Sequence, residues 1–142
     1  MVTLLTSLAL ALASCTGKGT SGTSSAGARA PVTVTVDILY LNHPPVLPVL
    51  ANIDQVLKAY GDTLTVTRHD FDTAEAVAFA RKKSITGHFP VVILINGSPT
   101  ANLEGRQVTF QSFPKGEGPG LIPDGDWSMA DLDGALKAAT AK

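Results

Sequence analysis

Between Val32 and Leu41 the chain passes from strict alternation to an unbroken apolar run, and few folds accommodate such a segment. Val32, Val34 and Val36 alternate with threonines, the pattern of a strand with one buried face. Ile38, Leu39, Tyr40 and Leu41 then leave no polar face at all, so the strand must become covered on both sides. That requires an interior position in a sheet with helices above and below it, the α/β class.

The rest of the chain supplies those helices and strands in order. Val49, Leu50, Ile53, Val56, Leu57 and Tyr60 recur at helical spacing after a group of prolines that can start a helix. A second strand is expected over Leu64 to Arg68. Asp72 or Thr73 can cap a helix over Ala74 to Lys83, with Glu75 in its first turn. Val91 to Ile95 reads as a central strand, Asn96 and Gly97 as a tight hairpin turn, and about Thr100 to Leu103 as the return strand. Ser128 and Asp131 open a last helix with the stripe Met129, Leu132, Leu136 and Ala139. The order βαβαββα predicts a mixed four- to five-stranded sheet with helices on both faces.

The N-terminus carries a different kind of information. Residues 2–14 contain no charge and are too few to cross a bilayer core of about 30 Å as a helix. They read as the apolar part of an export signal. Leu12, Ala13, Ser14 and Cys15 resemble the bacterial lipobox, in which cleavage before the cysteine leaves it as a lipid-modified N-terminus. Thr16 to Ala30 is Gly, Ser, Thr and Ala with only Lys18 and Arg29 charged, which cannot bury enough apolar area to order itself. A coil of that length spans about 20 to 23 Å r.m.s.. The expected organisation is therefore a signal at 1–14, a lipid-anchored linker at 15–30 and one domain at 31–142. With a formal net charge of −1 and 16% charged residues, the chain has no field for nucleic acid.

Three features make residues 32–106 and 128–140 similar to the thioredoxin family. His88 to Leu94 resemble that family's loop and strand around its cis-proline, with Pro90 in that role. Asn96 and Gly97 match its hairpin, and Gly105 falls where the family keeps a glycine. Asp37 stands six residues before His43, the spacing between the family's buried aspartate and its first redox cysteine. The resemblance thus implies a thioredoxin-like fold and places His43, Pro44, Pro45 and Val46 on the redox motif.

No thiol remains in that motif, because Cys15 is the only cysteine of the chain. Thiol–disulfide exchange needs a thiolate, so the domain is expected to be redox-inactive, without catalytic residues and without a cofactor. The resemblance further implies that backbone groups of Phe89, before Pro90, pair with an extended peptide. It also suggests Asp37 and Arg68 as a retained, partly buried ion pair.

Other chemistries are represented more thinly. His43, His69 and His88 are candidates for a zinc or copper site, although none is spaced as a metal pair. Asp124, Asp126, Asp131 and Asp133 suggest calcium, yet position 12 of such a loop is Ala135 and not Glu. Lys115 to Gly120 is glycine-rich but lacks the Lys-Ser/Thr ending of a phosphate loop. Between Gly105 and Ser128 an insertion at about 107–127 exceeds what the fold needs. In it, Val108, Phe110 and Phe113 alternate toward an extra strand, and Leu121, Ile122 and Trp127 are expected to fold back as an anchored loop. The insertion should cover a sheet edge or rim the His43 crevice.

Together these readings predict a protein held by lipid on Cys15 at the extracytoplasmic face of the cell membrane. Its expected task is to bind a protein or peptide without catalysis. The alternative is a metal carrier using His43 with His88 or His69, and a role as an oxidoreductase accessory ranks below both.

Overall fold

A computed structural model describes residues 33–141. Cys15, the apolar run before it and the linker lie outside the described residues.

The central strand, β1 (Val34–Tyr40), sits between β2 (Leu64–Asp70), parallel to it, and β3 (Val91–Ile95), antiparallel to it. Its side chains divide as the sequence pattern requires. Val34, Val36 and Ile38 are fully buried on one face and Leu39 is fully buried on the other. β3 is buried throughout. β2, at the sheet edge, is mostly exposed.

Helices cover both faces. Helix α1 (Leu47–Lys58) and helix α3 (Met129–Thr140) enclose the larger core, which joins Val36, Ile38 and Ile93 to Ile53, Leu57, Leu132 and Leu136. Helix α2 (Ala74–Lys82) covers the opposite face, where Leu39, Val92 and Leu94 meet Ala80 and Ile85. Thr73 caps α2, its Oγ1 accepting from the Ala76 amide at 3.3 Å. α1 has no side-chain cap but carries Pro48 in its first turn, where a missing N–H costs nothing. Ser128 and Asp131 form the expected capping box at the start of α3.

Two contacts fix α3 further. The Tyr60 hydroxyl donates to the Asp133 carboxylate at 2.7 Å, and burial together with that carboxylate pushes the phenol up to about 12. Partial burial alone would raise the Asp131 carboxyl. Hydrogen bonds from the Ser128 hydroxyl and amide, with the Arg106 guanidinium at 2.6 Å, outweigh it and hold Asp131 below its ordinary value.

The strand count departs from expectation. In place of one sheet of four or five strands, the described residues form a three-stranded sheet and a separate two-stranded sheet. Asn96 and Gly97 do make the tight turn, both with positive φ, and Ile95 exchanges backbone hydrogen bonds with Ser98. Pro99 follows at once and has no N–H to continue the ladder. The return strand β4 (Thr100–Leu103) leaves β3 and pairs instead with β5 (Arg106–Thr109) across a second positive-φ turn, Glu104–Gly105. The vacated edge of β3 is taken by Phe110 to Ser112: Ile93 N–H donates to Phe110 C=O at 3.0 Å and Ser112 N–H to Val91 C=O at 2.9 Å.

The insertion thus covers a sheet edge, and it is tied to itself. Trp127 is fully buried, meets Phe110 edge-on at 5.7 Å and donates Nε1–H to Gln111 C=O at 3.1 Å. Gly125 N–H reaches Phe113 C=O at 2.7 Å, and Asn52 on α1 donates to Glu117 at 3.1 Å. Leu121 and Ile122 do not fold back as expected; they are 91% and 46% exposed at the loop tip.

Candidate functional site

The carboxyl end of β1 leads into an exposed turn fixed by two prolines. After Tyr40, the Leu41 amide donates to Pro90 C=O at 3.0 Å, which ties the end of β1 to the segment entering β3. His43 N–H then donates to Leu41 C=O, and Val46 N–H to His43 C=O, both at 2.9 Å. The two prolines between them have fixed φ and no donors, so the turn has few alternative shapes. It presents His43, Pro44 and Pro45 to solvent. Leu47, the first residue of α1, is also half-exposed.

Val46 points the other way. It is 2% exposed and belongs to the larger core, so this motif position is a packing residue. His43 is the only member of the four with a titratable side chain.

Pro90 is buried beside this turn and Phe89 packs partly into the smaller core. All peptide bonds among the described residues are trans, which corrects the expectation of a cis bond before Pro90. A Cβ at Gly87 would collide with the Phe89 ring, so glycine there is what lets the ring lie back against the loop. Among the described residues, neither the N–H nor the C=O of Phe89 takes part in a backbone hydrogen bond. One residue earlier, His88 is exposed, its ring 6.5 Å from that of Phe71.

The expected pairing of Asp37 with Arg68 is corrected. In the β1–β2 register Asp37 stands opposite Thr67, so Arg68 projects from the other face of the sheet. Arg68 pairs with Asp54 on α1, in an exposed contact. On Asp37's own face the partner is His69, whose Nε2 lies 2.9 Å from Asp37 Oδ1. The imidazole is stacked on Phe79 with centroids 4.0 Å apart, and Lys83 Nζ lies 5.7 Å from the centre of the same ring. Both members of the pair are mostly buried, at 16% and 19% side-chain exposure.

The three candidate metal-ligating histidines thus have separate surroundings: His43 in the exposed turn, His69 on Asp37 and Phe79, and His88 near Phe71. No group of three or more His, Cys, Asp or Glu able to hold a metal occurs among the described residues. Of the aspartates near the C-terminus, Asp131 belongs to the capping box, Asp124 Oδ2 accepts from the Gly116 amide at 2.7 Å and Asp133 accepts from the Tyr60 hydroxyl.

Sequence reasoning missed the aromatic row of Phe71 and Phe79 beside the histidines. Part of a signal existed: Arg68 and His69 are neighbours on one strand and face opposite sides, so only one of them can share the face of Asp37, and the β1–β2 register decides which. Among the described residues no helix is long and apolar enough to cross a membrane. Compared with protein-family models, with curated proteins and with solved structures, the chain matches none.

Proposed function

We propose that this chain is a membrane-anchored, redox-inactive domain of thioredoxin-like fold that binds an extracytoplasmic protein or peptide without catalysis. The observation that carries the redox-inactive part is Val46, 2% exposed in the core where a second redox cysteine would stand. An isopropyl group packed there has no nucleophilic chemistry.

The fold reading is supported by a parallel β1–β2 pair, an antiparallel β3, and α2 on the face opposite α1 and α3. The binding reading is supported by the rigid exposed turn His43–Pro44–Pro45 and by the unpaired backbone of Phe89 next to it. Binding there would add an extended segment to free backbone groups, with neighbouring side chains setting preference. The anchor is Cys15, modified by lipid after removal of residues 1–14, which would hold the domain at the outer face of the cell membrane.

Two measurements test this. Mass spectrometry of the mature N-terminus should find a diacylglyceryl group on Cys15; an unmodified chain beginning at Met1 overturns anchoring. An insulin-reduction assay of the mature protein should show no turnover; clear activity overturns the redox-inactive reading.

A further inference from the structure

On the α2 side of the sheet, next to Phe89, a cleft of about 340 Å³ is lined by Phe71, Val77, Ala80, Ile85, Arg81 and His88. We propose that this cleft receives the C-terminal residue of a peptide, its apolar side chain against Phe71, Ala80 and Ile85 and its free carboxylate on Arg81. This rests on the reading of the chain as a binding module and names the chemistry of what it binds.

The floor is apolar and incompletely covered. Ala80 and Ile85 are 5% and 7% exposed, while Val77 beside them is 37% exposed. A volume of this size lies at the small end of ligand sites, suited to one residue and not to a large cofactor. An apolar pocket with a few polar groups at its rim fixes orientation through those groups.

Of the three consecutive cations Arg81, Lys82 and Lys83 at the end of α2, Arg81 is the one that lines the cleft. Lys83 lies over Phe79, and Arg81 has no acidic partner within salt-bridge distance among the described residues. A guanidinium beside an apolar floor complements a carboxylate carried on an apolar group, and the planar fork can hold both oxygens. Thr86 adds a hydroxyl to the same lining.

Phe89 favours a peptide over a small free acid. It follows His88 of the cleft wall, and its backbone N–H and C=O have no backbone partner among the described residues. A chain whose last residue fills the cleft can run back along Phe89 in extended form, which combines carboxylate capture with strand addition.

The test uses the mature protein in detergent with fluorescent decapeptides ending in Leu, Val or Phe, each as free acid and as amide. The free acids should bind about tenfold or more tightly than the amides, the scale of one charge-assisted pair. Arg81→Gln should abolish that difference, while Lys82→Gln should keep it. Equal binding of acid and amide, or an acid preference that survives Arg81→Gln, overturns the proposal; the binding-module reading stands if the peptides still bind. Competition by hexanoate at concentrations as low as the peptides' own would make the ligand a free acid and overturn the peptide assignment. Absence of binding by every peptide overturns the proposal as well. The module reading is then judged separately, by in-cell crosslinking from position 43.

Discussion

Nε2–H of His69 donates to the Asp37 carboxylate across 2.9 Å, and the same imidazole lies flat on Phe79. The pair joins the two parallel strands on the α2 face and leaves Arg68 on the other face with Asp54. A mostly buried hydrogen-bonded pair is costly to break from one side, because the remaining partner loses water without regaining a bond.

Asp37→Ala should therefore destabilise the domain by about 1 to 3 kcal/mol, and Arg68→Ala by less than about 1 kcal/mol. A double-mutant cycle in urea should give a coupling energy for Asp37 with His69 and none for Asp37 with Arg68. Coupling to Arg68 would contradict the register.

Positions 43 and 46 should respond in opposite ways to truncation. Val46→Ala removes two buried methyl groups and should cost about 2 kcal/mol. His43→Ala, at an exposed turn, should stay within about 0.5 kcal/mol of the parent and change only partner binding. Thermal unfolding of the two variants side by side is the check.

Trp127 closes the insertion over the edge of β3. Trp127→Ala should cost about 3 to 5 kcal/mol. Amide exchange at Ile93 and Ser112, whose bonds join β3 to Phe110–Ser112, should accelerate together with it. If those amides stay protected, the edge is held without the tryptophan.

Two groups make stability depend on pH in opposite directions. Asp131 is held below its ordinary value in the folded state, so its contribution is present above the unfolded carboxyl value and is lost as pH falls through the folded one. Asp131→Asn should flatten the acid limb of the stability curve. Tyr60 is raised from 10.0 to about 12, so its contribution is full below 10.0 and is lost as pH rises to about 12. Tyr60→Phe should flatten the alkaline limb, read by circular dichroism across that range.

Local pattern was enough for most elements. The alternation and run around Val36 and Leu39, the cap at Thr73, the Asn96–Gly97 turn and the Ser128 capping box are each set by residues within a few positions of one another. Helical and strand periods, and positive-φ preferences, depend on such neighbours. The candidate site was legible only in part. The exposed His43–Pro44–Pro45 turn could be read, because prolines restrict their own backbone. The partner of Asp37 could not, because it depends on how β2 aligns with β1.

By itself the sequence determined the α/β class, the placement of the three helices and most strands, and a single cysteine that precedes His43 by 28 positions in the sequence. Tertiary structure decided what the chain could not encode locally. It brought Asp37 to His69 through strand parity, sent β4 away from β3 after Pro99, and gave the open edge to Phe110–Ser112. It also gathered Phe71, Arg81 and His88 around one cleft. Each of these joins residues distant in sequence, and which distant groups meet is settled by register, burial and backbone hydrogen bonding acting together.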